Sequence, residues 1–153
     1  MATLNIVKYG DPLLRKHSRP VDAITPRILQ LLDDMTETMR MANGCGLAAV
    51  QVGVLRRVVV IEVEDGKVYE MINPKIIAYS GHQEAEEGCL SIPGHYGVTE
   101  RPKTVTVRAT DREGKSYDLT GSDLLARAIC HECDHLDGKL FTDVEIRSAD
   151  DEE

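Results

Sequence analysis

Apolar residues recur along the chain with two different periods. After Thr25, a residue able to cap a helix, and Pro26 at the first helical position, Ile28, Leu32, Met35 and Met39 return at helical spacing until Asn43-Gly44 offers a stop. This predicts a first helix over roughly Pro26 to Ala42. Towards the other end, Leu124, Leu125, Ala128, Ile129 and Leu136 form a broad apolar side of the run DLLARAICHECDHLD. Ser122 can cap that run and Gly138 can close it, which predicts a second helix. Between the two the texture changes to β-branched runs broken by Gly, Pro and Asp: RVVVIEV, YEMINPKIIAYS, KTVTVRAT and SYDL, with Asp111-Arg112-Glu113-Gly114 reading as a hairpin loop. Strands gathered between an early and a late helix predict an α+β fold with mostly antiparallel pairing, and no βαβ alternation is visible.

The chain has 153 residues, a length that suits one core. No repeat or low-complexity linker divides it, so residues 1–147 read as one domain and residues 148–153, ending in Asp150-Asp151-Glu152-Glu153, as a solvated acidic tail. One Phe, five Tyr and no Trp leave the core to Leu, Ile, Val, Met and Ala. The 18 Lys and Arg are outnumbered by 26 Asp and Glu, for a formal charge of −8, and the basic residues form no run. That balance argues against nucleic acid or an anionic membrane as a direct partner. The first twenty residues hold no apolar stretch long enough for a signal peptide, and the longest apolar run, Val58 to Ile61, is far too short to span a bilayer. Cys45, Cys89, Cys130 and Cys133 do not suggest a disulfide framework; they fit a reducing cytoplasm, free for packing or for a metal. A monomer is the default expectation.

The strongest local signal is His131-Glu132-Cys133-Asp134-His135, an HExxH pattern inside the second helix. Histidines four residues apart are rotated by about 40° and separated by about 6 Å along the axis, so both imidazoles can face one ion. The plain alternative is a pair of exposed helix histidines with an accidental glutamate. Glu132 stands in a row with Leu125, Ile129 and Leu136, on a side that must be partly buried, where desolvation would raise its pKa into a range useful for proton transfer. An ion pair with Arg127 on the same helix is the competing reading.

An ion that keeps a position open for water needs a third protein ligand. One class of zinc proteases supplies it as the last histidine of HExxHxxGxxH; Gly138 fits that pattern, but Phe141 stands where the histidine would be. The upstream candidate is Cys89 in Glu87-Gly88-Cys89-Leu90-Ser91, a loop ahead of Ile92-Pro93 able to present a thiolate and a backbone N–H. Taken alone, such a cysteine reads equally well as a small buried hydrophobe. Cys130 and Cys133 form C-x-x-C, but mid-helix and turned to other faces than the histidines, which assigns them to packing. A further segment, Gly44-Cys45-Gly46-Leu47-Ala48-Ala49-Val50-Gln51, lacks the signature of a phosphate or dinucleotide loop. Its small residues suit tight packing after a helix stop, and Gln51 is the odd polar residue.

Taken in order, GCGLAAVQ, EGCLS and HECDH resemble the three signature motifs of the peptide deformylases. The similarity extends to Tyr9-Gly10-Asp11-Pro12-Leu13-Leu14-Arg15, Met71-Ile72-Asn73-Pro74 and Asp137-Gly138-Lys139-Leu140-Phe141. The resemblance implies mostly antiparallel β-sheets wrapped around the C-terminal helix that carries HExxH, with the N-terminal helix packed outside. It implies hydrolytic removal of the formyl group from the N-terminal formyl-methionine of nascent polypeptides. By the same resemblance, Cys89, His131 and His135 hold one divalent metal, typically ferrous iron, with water as a further ligand; zinc, nickel and cobalt accept the same set. Glu132 is then the general base and acid, and Gln51 and the N–H of Leu90 stabilise the oxyanion. An extended peptide would pair with backbone at Gly44, Cys45 and Gly46 and near Gly88 as an added strand. Cys45, Leu90, Leu124 and Ala128 would border the methionine pocket, although Leu124 reads equally well as core. One departure is Cys130, which stands where the family commonly carries Gln and so removes an amide from beside His131. Two other readings stay open: a zinc endopeptidase using the same HExxH, and a non-catalytic peptide-binding module that keeps the fold without the metal.

Overall fold

The run Val58 to Ile61 is apolar at every position because it belongs to a strand covered on both faces. In the computed structural model, which describes residues 3–148, the elements follow in the order α1 (Pro26–Met41), β1 (Gly46–Ala48), β2 (Val58–Glu64), β3 (Lys67–Ser80), β4 (Gln83–Cys89), β5 (Ile92–Arg101), β6 (Thr104–Thr110), β7 (Ser116–Ser122), α2 (Leu124–Leu136) and β8 (Glu145–Ser148). They build a five-stranded sheet in the order β1-β2-β3-β6-β7 and a three-stranded sheet in the order β4-β5-β8, antiparallel throughout. Alternate residues of β2 leave the larger sheet on opposite sides. Val59 and Ile61 join Met71, Val105, Val107 and, from α2, Ile129 and Leu136 in one apolar cluster. Val58 and Val60 join Leu47, Ile72 and the α1 residues Leu32, Met35 and Met39 in another. The sheet therefore separates the two helices, with α1 on the outer side as expected. A third cluster of Leu14, Ile92, Leu140 and Phe141 ties the smaller sheet to the segment ahead of α1.

Helix α1 begins where the sequence places it: Thr25 Oγ1 accepts the Ile28 N–H at 3.3 Å, and Pro26 follows. It ends when Asn43 turns to φ 58° and Gly44 N–H donates to Met39 O at 2.9 Å. Helix α2 starts differently from the expectation. Ser122 does not cap it but closes β7, its hydroxyl paired with that of Thr104 at 2.9 Å. Asp123 makes the junction with φ 56° and ψ −120°, gives no side-chain cap, and forms an ion pair with Lys103. The hydroxyl was available to a cap, but the cross-strand pair with β6 takes it, because the hairpin runs to Ser122, one residue short of the junction at Asp123. After α2, Gly138 adopts φ 75°, and a Cβ there would lie 2.4 Å from the carbonyl oxygen of Arg15, so both the turn and the close approach need glycine.

The hairpin at Asp111–Gly114 forms as predicted, with Asp111 Oδ1 accepting the N–H of Glu113 and of Lys115. Strands β1, β4, β5 and β8 are additions that the hydrophobic pattern did not announce. β8 carries strand pairing to Ser148, opposite Gly97, one residue past the expected domain limit. The remainder of the acidic tail, 149–153, lies outside the described residues. No helix among the described residues is long and apolar enough to cross a membrane.

Candidate active site

Two elements from different parts of the chain meet at one point. Helix α2 buries His131 and His135 one turn apart on the same face, and β4 ends at Cys89 beside them. Cys89 Sγ lies 3.3 Å from His135 Nε2, and the two Nε2 atoms lie 3.2 Å apart. All three ligand atoms fall within 4.8 Å of one another. Nitrogen and sulfur ligands bonded at about 2.0–2.3 Å to one tetrahedral ion are separated by similar distances, so the donor set fits a divalent metal. Cys130 and Cys133 face the apolar cluster instead, where burial pushes their thiols up to about 11 and about 12.

Behind the donors stands a charged layer. His131 Nδ1 meets Glu87 Oε1 at 2.9 Å; Arg101 grips the same carboxylate with Nε and Nη2 at 3.0 and 2.9 Å, and reaches Asp134 with Nη1 at 2.6 Å. Thr99 donates its hydroxyl to Glu87 as well. Burial alone would raise the Glu87 pKa, but His131 and Arg101 overcome it and hold the group at about 2. The orientation of His131 is thus fixed by Glu87, and the missing amide at position 130 leaves no gap in that shell. Burial disfavours charge on both histidines; facing Glu132, Cys89 and Glu87, His131 is nevertheless held towards its protonated form, while His135, beside it, is driven towards neutral.

Glu132 is 4% exposed, and its Oε1 is buried with no hydrogen-bond partner. Burial, with the charges of Glu87 and Asp134 adding to it, raises its pKa to about 7 against the opposing pull of His131 and Arg101. Arg127 does not pair with it; that guanidinium donates to the backbone carbonyl of Glu86. The other carboxylate oxygen would be 2.5 Å from a Cβ at Gly46, so only glycine in β1 lets the carboxyl lie against that strand. Gln51 is 1% exposed: its Oε1 accepts the Ala48 N–H at 3.0 Å, leaving Nε2 to donate to Ser91 Oγ at 3.1 Å and to the Cys89 sulfur at 3.5 Å.

These groups open onto a cavity of about 510 Å³ between β1 and the end of β4. Gly44, Cys45, Gly46, Gln51, Gly88, Cys89, Leu90, Leu124, Ala128, His131 and Glu132 all line it. Leu90 sits in the turn between β4 and β5 and covers Gly44, where a Cβ would meet its Cδ1 at 2.6 Å. Leu124, left between pocket and core by the sequence, is 43% exposed on the cavity wall. The reading of the motifs missed Glu87, Thr99, Arg101 and Asp134 as a working unit. Glu87 carried a signal only as the acidic residue of the EGCLS motif, two positions before Cys89; Arg101 carried none.

A helix offering two imidazoles and a buried free carboxyl, closed by a cysteine sulfur from a strand, defines a metal-dependent hydrolase. Sequence comparison agrees in detail. The profile of the polypeptide deformylases matches residues 3–151. The peptide deformylase of Caldanaerobacter subterraneus subsp. tengcongensis is 54% identical over 153 residues, all of this chain and 96% of that protein. The crystal structure of a peptide deformylase from Legionella pneumophila superposes with a TM-score of 0.90 at 42% identity, covering 93% of this chain and 85% of that one. That of Ehrlichia chaffeensis in complex with actinonin gives 0.92 at 38% identity, covering 94% and 89%. The chain belongs to the polypeptide deformylase family, hydrolases that remove the N-formyl group from newly made polypeptides.

Proposed function

We propose that Cys89, His131 and His135 hold one divalent ion, ferrous iron in the cell, and that the substrate is the N-terminal formyl-methionine of nascent chains. The ion supplies Lewis acidity, polarising a carbonyl and lowering the pKa of water. The rest is the work of the chain. Glu132, buried and without a partner beside Gly46, accepts a proton from the attacking water and returns it to the departing amine nitrogen. The amide of Gln51, held by Ala48, and the N–H of Leu90 donate to the oxygen that gains charge as the formyl carbon becomes tetrahedral. The free edges of β1 and β4 flank the cavity, and an extended peptide adds between them with its methionine side chain towards Cys45, Leu90, Leu124 and Ala128. The chain acts as a cytoplasmic monomer on the protein end of the nascent chain, without contacting nucleic acid.

The observation that carries this reading is the unpartnered Glu132 carboxyl next to a complete donor set. The test is formate release from formyl-Met-Ala-Ser by protein prepared anaerobically with ferrous iron, with the metal content measured in parallel. Rapid release without cleavage of internal peptide bonds is expected. Glu132→Gln should retain the metal and lose about 100- to 10,000-fold in kcat. No release from protein holding stoichiometric metal would overturn the reading in favour of a binding module.

A further inference from the structure

Most charges that line the cavity are already engaged. Glu87 is bound by Arg101 and His131, His95 meets Glu145 Oε2 at 3.0 Å, and Glu132 is enclosed. Arg127 differs. It is the one Arg or Lys among the described residues of the cavity wall, it is half-buried, and it forms no ion pair among them. Its Nη1 donates to Glu86 O at 3.0 Å, a neutral acceptor, and its Nε has no partner at all. Its charge bears on the thiol of Cys45 in the same cavity, partly offsetting the burial that pushes that thiol up.

The position of Arg127 on α2 says what it can reach. It precedes His131 by one turn, which sets it about 6 Å towards the helix N-terminus on the same face. An extended peptide advances by about 3.3 Å per residue. Leu124 and Ala128, which flank Arg127 on the helix, are the residues given above to the methionine side chain, so the guanidinium stands at the rim of that pocket, within a side chain's reach of the residues that follow methionine. The buried Nε is closed to a ligand, but the outer Nη groups, held by a single neutral carbonyl, present an uncompensated cation to the cavity, which is matched by a carboxylate.

Resting on the reading of the site given above, we propose that Arg127 is a specificity residue that favours formyl-methionyl peptides carrying Asp or Glu at the second or third position over those carrying Lys or Arg. The selection works through binding, and so through KM rather than kcat. It weakens as salt screens the pair.

The experiment compares C-terminally amidated formyl-Met-Glu-Ala with formyl-Met-Lys-Ala, and formyl-Met-Ala-Glu with formyl-Met-Ala-Lys, with formyl-Met-Ala-Ser as the neutral control. Amidation removes the terminal carboxylate as a competing anion. In the native chain at low salt the Glu peptide of at least one pair should be favoured by about five- to tenfold in kcat/KM. Arg127→Gln should bring that ratio close to one, and Arg127→Lys should keep part of it. The ratio cancels any loss common to all peptides, which a purely structural role of the Arg127–Glu86 bond would produce. The same ratio should be found in peptide dissociation constants of the Glu132→Gln chain, measured by calorimetry without turnover. Equal values for Glu and Lys peptides while the neutral peptide is processed would overturn this proposal alone, as would a preference that survives Arg127→Gln. A chain that binds and processes none of the three peptide types would overturn the reading of the site with it.

Discussion

The two sheets are assembled by different forces. In the five-stranded sheet, β2 is buried on both sides by aliphatic side chains, and nearly every inward position of β3 and β6 is Met, Ile, Val or Ala. In the three-stranded sheet, the inward side of β4 presents Glu87, and β5 answers with Thr99 and Arg101. Hydrophobic burial is non-directional and tolerant of shape, whereas a buried carboxylate is stable only with its partners in place. The second arrangement is the costlier one, and it is found where His131 must be held in one orientation. The chain places its least forgiving packing next to the donor atoms and its most forgiving packing beneath the scaffold.

The comparison breaks most readily at Arg101. Arg101→Leu strips the buried Glu87 of its guanidinium partner and breaks the pair with the half-buried Asp134, and should cost about 3–5 kcal/mol in urea denaturation. It should also weaken cobalt or zinc affinity by about 10- to 100-fold. A stable variant with unchanged metal affinity would show that the charged layer is mere packing. Met71→Ala, fully buried on β3 in the larger sheet, should cost about 2–4 kcal/mol and leave the metal affinity of the folded protein alone. A matching loss of metal affinity there would erase the distinction between the sheets.

Acid sharpens it further. The Glu87 pKa is depressed to about 2 in the fold, from an ordinary value near 4.5. Its contribution is therefore complete above the unfolded value and disappears as the pH falls from about 4.5 towards 2, amounting to on the order of 2–3 kcal/mol at neutrality. Denaturation titrations of the native chain and of Glu87→Gln should converge over that interval; parallel curves would place the acid sensitivity elsewhere. The smallest effect is at the join between the larger sheet and α2. Asp123→Gly relieves a non-glycine residue at φ 56° and ψ −120°, and should raise stability by about 1 kcal/mol with activity unchanged. A loss would mean that its ion pair with Lys103 outweighs the backbone strain.

The same contrast explains what could be read from the residues alone. The α1 boundaries followed from Thr25, Pro26 and the spacing of Ile28 to Met39, because a capped amphipathic helix announces itself locally. Strands β2, β3, β6 and β7 of the larger sheet were visible as β-branched runs, whereas β1, only Gly-Leu-Ala, read as small residues packed after a helix stop. β4 was not visible, since Gln-Glu-Ala-Glu-Glu-Gly-Cys offers no apolar alternation: its buried face carries a carboxylate whose partner lies 14 residues further on. β5 was obscured by Pro93, Gly94 and Gly97 within its span. The donor histidines and Cys89 stood out as motif residues, whereas Arg101 acquires meaning only when β5 lies across β4. Ser122 misled because a hydroxyl before a helix reads as a cap, and only the β6–β7 register shows that Thr104 holds it.

Phe141 is the chain's single phenylalanine, and its ring is stacked between those of His95 and His131, at centroid separations of 5.7 and 6.0 Å. Replacing it biosynthetically with fluorophenylalanine would give one fluorine resonance for the whole molecule, placed against a donor histidine. A paramagnetic ion among Cys89, His131 and His135 would displace and broaden that line, while zinc would not. The fold thus contains a spectroscopic probe position that tells a paramagnetic from a diamagnetic ion in the purified protein, without touching a residue of the proposed reaction.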